Sequence, residues 1–101
     1  MLVVRDIFIA KPGMASKLAR VLCDAVSGGP DRVRVMTDLV GQFNNVVMET
    51  EVDSLQRFEQ RMQDYRTDEQ IRTKMAGYTE LYAEGRREIF EVVGGTGGRV
   101  R

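Results

Sequence analysis

The stretch Arg32-Val-Arg-Val-Met-Thr-Asp-Leu-Val-Gly-Gln-Phe-Asn-Asn-Val-Val-Met-Glu-Thr-Glu-Val52 determines how the rest of this chain can be arranged. Two β-rich runs in it are separated by a short segment containing Gly41 and Asn44, which is the pattern of a β-hairpin. With Gly41 to Asn44 as the loop, Val40 is predicted to face Asn45. The pattern therefore predicts a two-stranded unit around which the other elements must pack.

Alternation along the two runs gives the predicted hairpin two different faces. Arg34 is predicted to face Glu51, a favourable cross-strand charge pair. One face is apolar and suited to helices, with Val33, Val35, Thr37 and Leu39 opposite Val46, Met48, Thr50 and Val52. The other face mixes apolar and charged groups, among them Met36, Asp38, Val47 and Glu49. We expect this mixed face to meet a second subunit.

The flanking sequence supplies the remaining elements. In chain order they are a strand over Leu2–Ala10, a helix from about Met14 to Val26, a helical region from a cap at Asp53 to a stop at Gly85 with a break near Arg66, and a strand over Arg87–Val93. Both faces of the first strand are largely apolar, which predicts that it is covered on both sides.

The resulting order is βαββαβ, the split βαβ pattern of ferredoxin-like α+β folds. Right-handed crossovers place both helices on one face of a four-stranded antiparallel sheet. The other face is left bare, so we expect a homodimer formed through it. Residues 1–93 are predicted to form a single domain, and the glycine-rich residues 94–101 a flexible tail.

Charge and hydropathy exclude several classes of partner. The 101 residues contain 15 basic and 15 acidic side chains, which removes the usual electrostatic case for binding nucleic acid or an anionic membrane. No run approaches the roughly 20 apolar residues that span a bilayer. The N-terminal residues lack the pattern of a secretory leader, so we expect a cytoplasmic location.

The chain has no histidine and a single cysteine, Cys23. These two facts exclude histidine-based catalytic triads, histidine-ligated haem and nearly all catalytic zinc sites. A hard metal ion bound by carboxylates stays an alternative, but the sequence has no loop of spaced Asp or Glu residues around a glycine of the kind that binds calcium. We therefore expect no metal and no cofactor.

Five side chains are candidate ligand contacts. Tyr65, Tyr78 and Tyr82 lie on apolar stripes of the second helical region, and Met48 and Met75 are spaced like core positions. Tyrosine rings and flexible methionines can line a pocket for an apolar ligand. The alternative is that they are ordinary core or dimer-interface residues.

Catalytic candidates are weaker. Asn44 and Asn45 fit simple turn chemistry, although their amides could also orient an oxygen atom of a substrate. Asp38, like Asp6 and Glu49, is a carboxylate in a predicted strand, for which pairing with an arginine such as Arg5 or Arg34 across the dimer face is the main interpretation. A carboxylate without a partner would be a candidate base, because burial raises its pKa.

Three segments also resemble a known superfamily: Lys11-Pro12-Gly13, Asp38-Leu-Val-Gly-Gln-Phe-Asn-Asn-Val-Val-Met-Glu49, and Val52-Asp-Ser-Leu-Gln-Arg-Phe-Glu59. They are similar to the dimeric α+β barrel superfamily, and most of all to its NIPSNAP-like and antibiotic-biosynthesis-monooxygenase-like members. The resemblance covers the chain to about Val93. It implies a homodimer with a pocket between sheet and helices in each subunit. The superfamily includes haem-degrading enzymes, whose histidine ligand this chain lacks.

Three hypotheses for function follow. The first is a small homodimeric protein that binds a small, mostly apolar ligand between sheet and helices. The second is a cofactor-independent monooxygenase, or a related isomerase or lyase, acting on an aromatic or polyketide-like substrate with Asn44 or Asn45, a tyrosine and Asp38. The third is a structural or interaction module. The sequence does not establish whether the protein is an enzyme, nor which ligand it takes.

Overall fold

The computed structural model describes residues 1–96. Its elements are β1 (Leu2–Ala10), α1 (Ala15–Val26), β2 (Arg32–Thr37), β3 (Asn45–Val52), α2 (Leu55–Thr67), α3 (Glu69–Lys74), a 3₁₀ turn (Tyr78–Glu80) and β4 (Tyr82–Glu91). The four strands form one antiparallel sheet in the order β2-β3-β1-β4. The predicted ferredoxin-like βαββαβ fold is therefore confirmed.

The three helices cover one face of the sheet, which we call the helix-covered face. Helix α1 packs against β2 and β3, α2 against β3, and α3 against α1. The buried core cluster comprises Ala10, Leu18, Leu22, Val46, Met48 and Leu81. Helix α1 enters this core with Leu18 and Leu22, four residues apart on one side of the helix.

The second face of the sheet, which we call the open face, has no covering element among residues 1–96. Its apolar side chains are Val3, Ile7, Ile9, Met36, Val47 and Phe90, which alternate along the strands with the residues of the helix-covered face. Strand β1 is central and contributes apolar residues to both faces, as its sequence predicts.

The hairpin is present, but its predicted register is wrong by two residues. Arg34 lies opposite Glu49 rather than opposite Glu51. The connection between β2 and β3 spans residues 38–44, so the predicted four-residue loop is also wrong. Because side chains alternate with a period of two, this shift leaves every residue of the paired strands on its predicted face.

Leu39 and Val40, predicted to lie in a strand, belong instead to this longer loop. They are 98% and 92% exposed, and Phe43 of the same loop is 85% exposed. The loop thus carries three large apolar side chains that the hairpin does not bury.

The predicted cap at Asp53 is wrong by one residue. Ser54 is the N-cap of α2, and its Oγ accepts a hydrogen bond from the backbone N–H of Arg57 at 3.1 Å. The predicted break near Arg66 is confirmed, since α2 ends at Thr67. Asp68 then caps α3 through its side chain.

The predicted continuation of the helix through Tyr82 is wrong. Helix α3 ends at Lys74, and Gly77 adopts a left-handed conformation with φ 81°. Glycine takes this conformation without the steric cost that a Cβ would add. Helix α3 therefore ends eleven residues before the predicted stop at Gly85.

Strand β4 begins at Tyr82 and ends at Glu91, so the predicted strand over Arg87–Val93 is too short and shifted. Gly85 lies inside this strand opposite Phe8, and a Cβ built on Gly85 would be 3.3 Å from the Phe8 ring. The missing side chain makes room for this ring on the helix-covered face.

None of the helices in the described part of the chain is both long and apolar enough to cross a bilayer. Gly94–Thr96 have no regular secondary structure. Residues 97–101 of the predicted tail lie outside the described residues.

Candidate functional site

A cavity of about 370 Å³ lies between the helix-covered face of the sheet and the helices. Strands β1 and β3 provide one wall with Phe8 and Met48, and α1 provides another with Leu22 and Ala25. Helices α2 and α3 contribute Met62, Tyr65, Ile71 and Met75. Most of the lining is apolar, and three of the apolar side chains are methionines, which adapt readily to a bound shape.

An ion pair lies on the sheet wall of this cavity. Asp6 of β1 and Arg87 of β4 are direct cross-strand neighbours, and Arg87 Nε donates to Asp6 Oδ1 at 2.5 Å. The Asp6 side chain is 7% exposed, whereas that of Arg87 is 46% exposed. Burial raises the pKa of Asp6, and the hydrogen bond and charge of Arg87 offset this only in part. The cavity thus contains a carboxyl group that holds a proton more readily than an exposed aspartate.

Two phenol groups line the same cavity. Tyr65 lies on α2, and Tyr78 begins the 3₁₀ turn. Burial raises the pKa of both, with a further rise from the charge of Asp6 for Tyr65 and from the neighbouring Tyr82 for Tyr78. Both phenols are therefore neutral at physiological pH and can donate a hydrogen bond.

Three aromatic rings pack together at one end of the cavity. The centroids of Phe8 and Tyr82 are 4.9 Å apart, and those of Tyr78 and Tyr82 are 5.8 Å apart. Phe8 and Tyr78 meet edge to face at 6.4 Å. These distances are typical of favourable aromatic pairs, which hold the wall in place.

The structure brings four of the five predicted ligand contacts to one cavity: Tyr65, Tyr78, Met48 and Met75. Tyr82 does not line the cavity, but its ring packs against that of Tyr78. Strand β3 places Met48 on the helix-covered face, and α2, the end of α3 and the 3₁₀ turn bring Tyr65, Met75 and Tyr78 to the same cavity.

The predicted catalytic candidates lie elsewhere. Asp38 and Asn44 belong to the loop between β2 and β3, and Asn45 begins β3. None of the three lines the cavity. Asn44 has φ 67°, and the Asn45 side-chain amide donates to the Gln42 carbonyl at 3.1 Å, so both residues shape the turn.

Sequence reasoning did not assign Asp6, Arg87 or Phe8 to the cavity. For Asp6 a signal was present, because the alternation of β1 puts this carboxylate on the same face as Val4 and Phe8. A charged residue on an apolar face needs a partner or a function. The partner, Arg87, is 81 residues away in sequence and could not be identified before β4 was placed.

The open face carries a different charge cluster. Glu49 accepts from Arg5 Nη2 at 2.8 Å and from Arg34 Nη2 at 2.7 Å, with one carboxylate oxygen to each arginine. Burial alone would raise the pKa of Glu49, but the hydrogen bonds and charges of the two arginines outweigh it and lower the pKa. Of the three predicted carboxylates, only Glu49 pairs with these arginines, and it does so within its own sheet.

Among residues 1–96, no three Cys, Asp or Glu side chains are clustered in a way that could hold a metal ion.

We expect the stability of the wild type to fall relative to that of Asp6→Asn as pH rises above the ordinary pKa of aspartate. The pKa of Asp6 in the folded protein is raised above 3.8, the ordinary value expected in the unfolded chain. At a pH between the unfolded-state pKa and the folded-state pKa, the native protein therefore binds a proton that the unfolded chain has released. The free energy of unfolding of the wild type should therefore fall, relative to that of the variant, as pH rises through this interval. Urea unfolding from about pH 3 to pH 8 would measure the difference.

Glu49→Gln is the control with the opposite sign. The folded-state pKa of Glu49 is lowered below 4.5, so its ion pairs stabilise the fold above that value and lose their effect as pH falls through the folded-state pKa. Relative to this variant, the wild type should lose stability on acidification. A constant difference between wild type and Asp6→Asn over the whole range would contradict the effect assigned to Asp6.

No family model matches the chain, and no curated protein matches its sequence. Solved structures do resemble it. An uncharacterised NIPSNAP domain protein from Burkholderia xenovorans superimposes with a TM-score of 0.79 at 16% identity, over 92% of this chain and 95% of that one. A NIPSNAP family protein from Agrobacterium tumefaciens gives 0.78 at 12% identity, over 97% and 98%.

An antibiotic biosynthesis monooxygenase-like protein from Chloroflexus aurantiacus gives a TM-score of 0.74 at 18% identity, over 95% of this chain and 96% of that one. This chain therefore shares the ferredoxin-like α+β fold of NIPSNAP and antibiotic biosynthesis monooxygenase-like proteins, which confirms the predicted resemblance. At such identities the likeness defines the fold and does not define the function of the site.

Proposed function

We propose that this protein is a homodimer whose subunits each bind a small, mostly apolar molecule in the cavity between sheet and helices. The observation that carries the proposal is the cavity itself, with a volume of about 370 Å³. Ligand sites commonly have volumes of about 300–1,000 Å³ and combine apolar walls with a few polar groups. A cavity at the small end of this range suits a compact ligand.

Polar side chains are a minority of the lining and comprise Asp6, Tyr65, Arg66, Arg72, Tyr78 and Arg87. Asp6 and Arg87 lie on the sheet wall, and the phenols of Tyr65 and Tyr78 lie on the helical side. A well-packed core of this size would have been filled by side chains, since interiors leave few voids larger than a water molecule. An open space with a small polar set supports binding of a ligand that has one polar region and an apolar body.

The open face supports the homodimer. It exposes a set of apolar side chains on a sheet surface, such as Phe90 at 47% and Met36 at 36% exposure. At its middle, Arg5 and Arg34 neutralise Glu49, so the buried charge that a second subunit would cover is already paired. Exposed apolar side chains on a sheet face, around a charge that is already paired, support an interface between two subunits.

A ligand screen tests the binding proposal. Native mass spectrometry of the purified protein, followed by calorimetric titration with short fatty acids and aromatic polyketide-type compounds, should show one molecule bound per subunit. The same spectra report whether the free protein is a dimer. Absence of any binding across both compound classes would contradict the proposed function.

One observation favours a second candidate, an enzyme that removes a proton from an aromatic or polyketide-like substrate. Burial raises the pKa of Asp6 within an apolar cavity, a setting in which a carboxylate can serve as a base. The chemistry would follow the cofactor-independent monooxygenases, isomerases or lyases implied by the resemblance. Substrate-dependent oxygen consumption or isomerisation that is lost in Asp6→Asn, but kept in Asp38→Asn, would support it. Equal activity in both variants would exclude Asp6 as the base.

A further inference from the structure

The cavity has an excess of positive charge that the whole chain does not have. Its fourteen lining residues include three arginines (Arg66, Arg72 and Arg87) and one carboxylate, Asp6. The complete chain, in contrast, has equal numbers of basic and acidic residues. Since Arg87 is paired with Asp6, two guanidinium groups remain without a negative partner in the lining.

The two unmatched arginines flank the break between α2 and α3. Arg66 is the penultimate residue of α2, and Arg72 lies in the middle of α3. Both residues are exposed and both line the cavity, so they lie where it opens to solvent. Arginine stems can line an apolar wall while the guanidinium groups stay at the surface.

Neither guanidinium is neutralised within residues 1–96. Arg66 Nη2 donates to the neutral amide oxygen of Gln63 at 2.9 Å, and Arg72 has no ion pair in this part of the chain. Two of the three nearby carboxylates have other partners, and the third, Glu69, forms no ion pair with either arginine among residues 1–96. Asp64 pairs with Arg61 at 2.9 Å, and Asp68 accepts hydrogen bonds from backbone N–H groups at the start of α3.

We propose that the ligand is an apolar organic acid, held with its carboxylate at Arg66 and Arg72 and its apolar body between Leu22, Met48 and Met75. This inference rests on the proposed binding function. A planar guanidinium matches a carboxylate in geometry and forms charge-assisted hydrogen bonds with it. The small, mostly apolar interior then accommodates the rest of the molecule. Arg87, the third arginine of the lining, is already paired with Asp6.

Matched acid and amide pairs test the inference directly. Octanoate and octanamide, decanoate and decanamide, and 2-naphthoate and 2-naphthamide have nearly the same shape and differ in charge. Isothermal titration calorimetry of the full chain should give acids a dissociation constant about tenfold lower than that of their amides. In the Arg66→Gln/Arg72→Gln double variant, this preference should disappear while amide binding is kept.

The Lys17→Gln/Arg20→Gln double variant is the matched control, because it removes the same charge from exposed positions of α1 that do not line the cavity. It should keep the preference for acids. Equal binding of acids and amides by the wild type would overturn the inference and leave the binding function intact. A preference that persists in Arg66→Gln/Arg72→Gln would overturn the assignment to these arginines. Failure of every acid and amide to bind would overturn the inference together with the proposed function.

Discussion

Val47→Glu is expected to separate the proposed homodimer into folded monomers, with a rise in the dimer dissociation constant of about 100-fold or more. Val47 lies on the open face in β3, between Ile7 of β1 and Met36 of β2. A glutamate at this point would have to be buried without a partner when two open faces meet. In a two-fold interface each substitution acts twice, which increases the effect.

The monomer should tolerate this change, because the residue is on the face that the helices do not cover. Light scattering coupled to size-exclusion chromatography would measure the assembly, and circular dichroism would check the fold. Val40→Glu adds the same charge to the exposed loop and should remain dimeric. A wild type that is monomeric at micromolar concentration would contradict the homodimer itself.

Ala25→Leu is expected to weaken ligand binding at least about tenfold while leaving the protein as stable as the wild type or more so. Ala25 is 7% exposed and contributes its methyl group to the wall of the cavity from α1. Three further carbon atoms would occupy space that the ligand needs. Because these atoms enter an existing cavity, they should add buried apolar surface without overpacking. The free energy of unfolding should rise by about 1 kcal/mol.

The two measurements together separate a binding site from an ordinary core position. Calorimetric titration gives the affinity, and urea unfolding gives the free energy of unfolding. Ala76→Leu, an exposed change outside the cavity lining, should alter neither quantity. A large loss of stability in Ala25→Leu would show that the space is not available to a larger side chain, and would count against the cavity as a ligand site.

The hairpin shows how far alternation of residues can predict a sheet. It assigned each residue of the paired strands to the correct face, because faces depend only on whether positions are odd or even. It could not distinguish two registers that differ by two residues, since both keep the same faces. The observed register brings Arg34 opposite Glu49, where Arg5 also reaches the carboxylate, and such a three-residue cluster requires β1 to be in place.

The end of α3 shows a different limit. Tyr78 and Tyr82 are four residues apart, which fits one face of a helix. The structure places Tyr78 in a 3₁₀ turn and Tyr82 in β4, because Gly77 turns the chain between them and α3. Their rings still meet, since the chain folds back over Phe8. The four-residue spacing therefore agrees with the contact between the Tyr78 and Tyr82 rings, although the helix predicted from it is wrong.

The site was predictable where it depends on local pattern and not where it depends on distant pairing. Met48, Met75, Tyr65 and Tyr78 were identifiable from strand alternation and helical spacing, whereas Met62 was not among the predicted ligand contacts. The ion pair on its wall was not, because Asp6 and Arg87 belong to strands that are neighbours only in the folded sheet. The positive charge at the opening likewise arises from two helices whose relative placement no local pattern specifies.

The aromatic contacts of Phe8, Tyr78 and Tyr82 also have an optical consequence. The chain has no tryptophan and only three tyrosines, so its near-ultraviolet circular dichroism is dominated by few chromophores. Two of these, Tyr78 and Tyr82, lie with ring centroids 5.8 Å apart, and Tyr78 forms part of the cavity lining. A ligand that displaces the Tyr78 ring would alter the coupling between them. The protein therefore contains an intrinsic spectroscopic reporter of cavity occupancy that needs neither a label nor an introduced tryptophan.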